Sequence, residues 1–264
     1  MKILAIGDPH GNLKQINKIN LKHIDLILLT GDLGSSNLVR KMSFDNIARQ
    51  KQGLPKLEYS PRQRKLAFME SYNSTIKLIK YLAKFAPVYT IFGNVESSNA
   101  ETREYSQDIG LKLPYLYNDL KSISGIRIIN NVVANFNGIR IGGLDYFVDT
   151  SWIREFKPSD FNKSMAGAKR ETDKAKRILR NFGSLDILVC HQPPYGILDK
   201  VTSKFAPKGW NGKHAGSKAI LDYVRKYHPA YVLCGHIHEN EGKANIGKTR
   251  VYNLGTGGYV VLDF

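Results

Sequence analysis

The sequence predicts an α/β protein with sheets at its centre and helices on their outer faces. Three observations predict it. Apolar runs of four to six residues recur along the 264-residue chain, each closed by a turn rich in Gly, Pro or Asp. Between them lie segments with apolar residues every three to four positions, the period of a helix that buries one face. No repeat, low-complexity tract or linker rich in Pro, Gly and Ser interrupts the alternation, so one domain over 1–264 is expected.

In order, KILAI ends at GDPH and leads into a helical pattern, LKQINKIN. DLILLT ends at GDLG. The segment near 38–85 is a basic helical insertion whose long amphipathic helix runs from about Arg62 to Phe85. VYTIF ends at GNVE. Short β-rich runs with turns at Gly125, Gly138 and Gly247 predict hairpins in the middle and at the C-terminus. KSMAGAKRETDKAKRILRNF is a second long helix, DILVC ends at HQPP, SKAILDYVRKY is the fourth helical segment, and AYVLC ends at GHIH.

Composition sets outer bounds. The first apolar run is too short for a signal peptide and no run reaches membrane-spanning length, so a cytoplasmic protein without membrane association is expected. Cys190 and Cys234 each close an apolar run, outside any CxxC pair, and read as reduced core thiols. Thirty-nine basic against 23 acidic residues give a net charge of +16. Two readings stay open: a nucleic-acid or nucleotide partner, or charges scattered over solvated helix faces. Eight Lys/Arg lie within 40–65 against Asp45 and Glu58. Nothing in the sequence fixes an oligomeric state.

The polar residues fall where ligands collect in α/β sheets, at the carboxyl ends of strands. Five strand ends deliver Asp8 and His10, Asp32, Asn94, His191, and His236 with His238. Singly, each has a plain structural reading as a turn cap, an αL asparagine or a satisfied core histidine. Seven at successive strand ends point to metal. Two divalent ions ~3.5 to 4 Å apart need a bridging carboxylate, for which Asp32 is placed, and neutral ligands that leave positions open. Oxygen and imidazole donors without thiolate suit Mn, Fe, Co, Ni or Zn.

DPH, GD at 31–32, GNVE, His191, GHIH and NLGT at 253–256 resemble the motifs of the calcineurin-like metallophosphoesterases, from residue 3 nearly to the end. The resemblance implies a four-layer α/β/β/α sandwich with two metals between its sheets. It implies that one ion takes Asp8, His10, Asp32 and His238, the other Asp32, Asn94, His191 and His236, with Asp32, Asn94 and His191 serving catalysis. It also implies hydrolysis of phosphomonoesters or phosphodiesters by a hydroxide held between the ions. Two positions depart from the pattern. GDLGSSN carries no arginine, and Val95 stands where the family has the histidine that assists the leaving group. The alternative is a metal-holding interaction scaffold with little turnover, although scaffolds of this kind have usually lost ligands and this chain keeps all seven.

Residues 192–214 have little periodicity and start directly after His191, so they read as an active-site loop. Lys200, Lys204, Lys208 and Lys213 alternate there with Tyr195, Phe205 and Trp210, a pattern suited either to phosphate and base binding or to pinning the loop. Trp210 and His214 are the candidate substrate contacts. His214 is also a candidate replacement acid, and Glu96 is expected to serve structure.

Overall fold

The computed structural model of the chain describes residues 1–203, 206 and 209–264. Two sheets form its centre. The first runs in the order β11 (Tyr259–Asp263), β1 (Lys2–Ile6), β2 (Leu26–Leu29), β3 (Val88–Thr90), β4 (Ile126–Ile128). The second runs β5 (Val132–Phe136), β6 (Ile139–Leu144), β7 (Ile187–Cys190), β8 (Tyr231–Cys234), β10 (Thr249–Asn253), β9 (Gly242–Ile246). β1 to β4 are mutually parallel, as are β6, β7, β8 and β10, while β11, β5 and β9 are antiparallel edges.

Alternating side chains build the layers. Ile3 and Ala5 of β1 face the second sheet and pack with Ile141, Ile187, Val189 and Leu233. Leu4 and Ile6 face outward and pack under Leu78, Ile79 and Leu82 of α3 (Pro61–Leu82) and Leu116 and Leu120 of α5 (Leu116–Lys121). The outer face of the second sheet is covered by α7 (Phe161–Phe182) and α8 (Lys218–Tyr227), through Leu179, Phe182, Ile220 and Val224. Strands buried on both faces explain why KILAI and DILVC are continuous apolar runs. The result is the four-layer α/β/β/α sandwich.

Local chemistry sets the helix ends. Ser60 and Gln63 form a capping box ahead of Pro61, and Ser98 with Glu101 does the same for α4 (Asn99–Ile109). The first helix, α1, is one turn only, Leu13–Ile16, rather than all of LKQINKIN. α2 (Asn37–Lys51) has no buried residue. It lies against α3, the two making up most of the basic segment. α6 (Thr150–Phe156) completes the set.

Gly138 and Gly247 turn the hairpins β5–β6 and β9–β10. Gly125 does not turn a hairpin. It leads from α5 into β4, which pairs parallel to β3, because a glycine at φ 79° permits the turn without fixing the direction of the next strand. Cys190 and Cys234 are buried free thiols, both pushed up in pKa by burial. No helix among the described residues is long and apolar enough to cross a membrane.

Candidate metal centre

Asp8 and His10 follow β1, Asp32 follows β2, Asn94 follows β3, His191 follows β7, and His236 and His238 follow β8. The parallel arrangement within each sheet aims these strand ends at one seam between the sheets. Asn94 Oδ1 is 2.9 Å from His191 Nε2 and 3.0 Å from His236 Nδ1. Asp8 Oδ2 is 3.1 Å from His238 Nε2. The Asp32 carboxylate stands between these groups, with Oδ1 3.6 Å from His191 Nε2 and Oδ2 3.8 Å from His10 Nε2.

Proton positions follow from the partners. A carbonyl only accepts, so His191 Nδ1, 2.9 Å from Thr30 O, carries the proton and leaves Nε2 as a lone pair facing Asn94 Oδ1. His10 Nδ1 faces Gly34 O at 3.4 Å in the same way, and its Nε2 is buried without a hydrogen-bond partner. Lone pairs facing lone pairs, with an orphaned buried nitrogen among them, are what a bound cation satisfies. His10, Asp32 and His238 form one group of donor atoms within 4.8 Å of one another; Asp8, Asp32 and His191 form another.

Electrostatics favour the ligating form of Asp8, His236 and His10 and oppose it at His191. Burial would raise the Asp8 carboxyl, but His191, His238 and the His236 N–H outweigh it and hold it at about 2. Burial and neighbouring His191 push His236 down to about 3, and burial lowers His10. Burial would lower His191 too, but Asp32 and Asp8 raise it on balance.

The backbone is bent to deliver these groups. His10, Asp32 and His236 adopt φ of 43°, 45° and 65°, left-handed values that cost side-chain-bearing residues energy. Gly235 lies so close that a Cβ there would strike the Asp8 carboxylate. Around the cluster, Thr30 Oγ1 donates to Asp8 Oδ1 at 2.8 Å and Val95 N–H donates to Asp32 Oδ1 at 3.0 Å. Buried Glu96 accepts from the N–H groups of Leu33 (2.7 Å), Gly34 (3.4 Å) and Gly93 (2.9 Å), tying the loop after β2 to the loop after β3. Burial and the nearby Asp32 push its carboxyl up to about 7. Glu96→Ala is therefore expected to destabilise the protein by ~2 kcal/mol or more, since three buried donors lose their partner. Glu96→Gln, which retains one acceptor, should cost less, as read from thermal melts.

The described residues of the loop at 192–214 are held by ring packing and hydrogen bonds. Trp210 packs against Phe156 (centroids 4.6 Å apart) and Trp152 (5.6 Å). His214 Nδ1 lies 2.6 Å from Oδ1 of buried Asp199, whose Oδ2 accepts from Gly196 and Gly216. The loop buttresses the turn carrying His238: Lys200 N–H donates to Asn240, Thr202 N–H to Glu239, and Asn253 of NLGT bonds the carbonyls of Leu198 and Ile237 at 2.9 Å each. Lys204, Phe205 and Lys208 lie outside the described residues.

A cleft of about 690 Å³ opens beside His10, Asp32 and Asn94 on the opposite flank, between α2, α3 and α4. Trp210 and His214 are not among its lining residues; Val95 is, and so is Arg40. Arg40 is not among the site residues expected from the sequence, although it belongs to the basic cluster at 40–65. GDLGSSN has no arginine, yet α2 brings this one, eight positions after Asp32, within electrostatic range of His10.

Sandwich and strand-end cluster together define a protein of the metallophosphoesterase type. The chain belongs to the calcineurin-like phosphoesterase family, whose sequence profile matches residues 1–240. A Caenorhabditis elegans protein, UPF0046 protein K07C11.7, is 28% identical over 130 residues, covering 49% of this chain and 39% of that protein. The match thus spans well under two thirds of that relative. The phosphopantetheinyl hydrolase PptH of Mycobacterium tuberculosis superposes with a TM-score of 0.55 at 13% identity, covering 97% of this chain and 89% of its own. Another solved structure reaches 0.60 at 16% identity, covering 99% and 94%. At these identities the likeness is one of fold.

Proposed function

We propose that this chain is a dinuclear metal-dependent phosphoesterase, acting as one domain on phosphomonoesters or phosphodiesters, nucleotide-like esters among them. The observation that carries the reading is the division of the donors around Asp32. One of its oxygens faces His10, and the other faces His191. One ion would be held by Asp8, His10, Asp32 and His238, the other by Asp32, Asn94, His191 and His236. The donor set, imidazole and oxygen with both cysteines buried in the core, suits Mn, Fe, Zn, Co or Ni. Bound there, such ions supply Lewis acidity and a nucleophile available at neutral pH.

The chain's own residues do the rest. The Thr30 and Gly34 carbonyls orient His191 and His10, and Glu96 ties together the loops that carry Asp32 and Asn94, which spares their reorganisation during the reaction. Asp32 accepts the Val95 N–H and is fixed between the two donor groups. The valine side chain offers no proton, so the departing oxygen leaves without help from position 95. The scaffold alternative gains no support from a site whose seven donors converge.

The test is metal removal. Chelation is expected to abolish hydrolysis and Mn²⁺ to restore it, with the fold retained by circular dichroism. Elemental analysis showing only background metal in folded protein reconstituted with Mn²⁺ or Zn²⁺ would overturn the reading.

A further inference from the structure

We infer that the cleft between α2, α3 and α4 is a pocket for the esterified group of the substrate. It selects phosphoesters that carry a planar aromatic ring, and Arg40 contacts the phosphoryl oxygens. This rests on the phosphoesterase reading and adds the substrate class to it.

The cleft is continuous with the donor cluster, since His10, Asp32 and Asn94 line its inner end. Its walls are aromatic. Phe68 and Tyr105 face each other with centroids 6.3 Å apart and planes 35° from parallel. Tyr105 is held under the Arg64 guanidinium at 4.9 Å, and the Tyr72 hydroxyl donates to Asp119 at 2.8 Å, which fixes that ring on the α3 side. Val39 and Val95 add aliphatic surface. Such walls bind flat apolar bodies through stacking and area, with little demand for a particular hydrogen-bond pattern.

Charge orients the occupant. Arg40 is exposed, lines the cleft together with His10, and has no salt-bridge partner among the described residues. Asp32 and buried Glu96 lie at the inner end beside the donor cluster, and the other lining carboxylates, Glu101, Glu104 and Asp108, stand on the α4 side. Glu101 is engaged in capping α4 and Asp108 pairs with Arg64, whereas Glu104 makes no ion pair among the described residues. From Glu101 to Asp108 the helix axis advances about 10 Å away from the strand-end loop. A phosphate is therefore favoured at the Arg40 end and repelled from the α4 end, which points the ring into the cleft. A polyanion laid along it would meet three carboxylates, so a small ester suits the cleft better than a nucleic-acid strand.

The experiment is calorimetric titration of metal-loaded protein with non-hydrolysable probes: methylphosphonate, phenylphosphonate and a phosphonate analogue of AMP. Phenylphosphonate or the AMP analogue should bind about tenfold or more tightly than methylphosphonate, and the stronger of the two assigns the ring as aryl or nucleobase. Phe68→Ala should erase that preference while leaving methylphosphonate unchanged. Val39→Trp, a cleft-filling change at a position 47% exposed, should do the same without threatening the core. Arg40→Ala should weaken all three probes alike, by about tenfold. Equal wild-type affinity for all three overturns the pocket, as does a Phe68→Ala protein that loses methylphosphonate to the same extent. An unchanged Arg40→Ala protein overturns the phosphoryl contact. Protein that takes up no metal and binds no probe fails the phosphoesterase reading itself, whereas metal-loaded protein without ring preference fails only this inference.

Discussion

Asp32→Ala is expected to empty both metal positions and to lower kcat by ~10³-fold or more, the scale of several kcal/mol of lost transition-state stabilisation. The size follows from geometry. Asp32 alone belongs to both groups of donor atoms, presenting Oδ1 to His191 and Oδ2 to His10. Its removal also frees the Val95 N–H and leaves His10 Nε2 facing nothing. His238→Ala should weaken one position and leave the other, since His191, His236 and Asn94 remain together. Metal per chain, measured by elemental analysis beside the rates, separates the two cases. Two ions retained by a folded Asp32→Ala protein would show that the carboxylate is no bridge.

Val95→His is expected to raise kcat for alkyl phosphoesters by ~10-fold or more while changing nitrophenyl esters little, because only a poor leaving group needs a proton. Position 95 is suited to the test: its backbone is anchored to Asp32, its side chain is half-buried, and it lines the cleft beside His10 and Asn94. The adjacent Glu96 is already committed to three backbone donors, so an imidazole there would rely on its own packing for orientation. A variant that keeps its metal and shows no selective gain would mean that the leaving oxygen lies beyond the reach of this position.

Much of this architecture is local and so was legible. A buried parallel strand is written as an unbroken apolar run, and the turn that follows it within a few residues lies at a known end of the sheet; hence Asp8, Asp32, Asn94, His191 and His236 could be read directly. What the chain hides is contact between distant elements. Arg40 sits on a helix that buries nothing, and its approach to His10 depends on how α2 lies on α3, for which the sequence has no periodic signal. Trp210 shows the same limit. Lysines interleaved with aromatics describe a stacking platform and a pinned loop equally well, and only the packing on Phe156 and Trp152 reveals the pin. Gly125 marked a turn correctly and its topology wrongly, since strand direction is decided by pairing partners.

The left-handed backbone at His10 and His236 sets stability against ligation. Glycine adopts those angles without penalty, and substituting it where φ is positive relieves strain that any side-chain-bearing residue must bear. A directed-evolution campaign scored only on melting temperature would therefore be drawn towards glycine at both positions, and its winners would be sturdier proteins with two fewer imidazoles at the seam. Thermostability screening of this protein needs a simultaneous metal readout, because here a higher melting point can be the first symptom of a lost site.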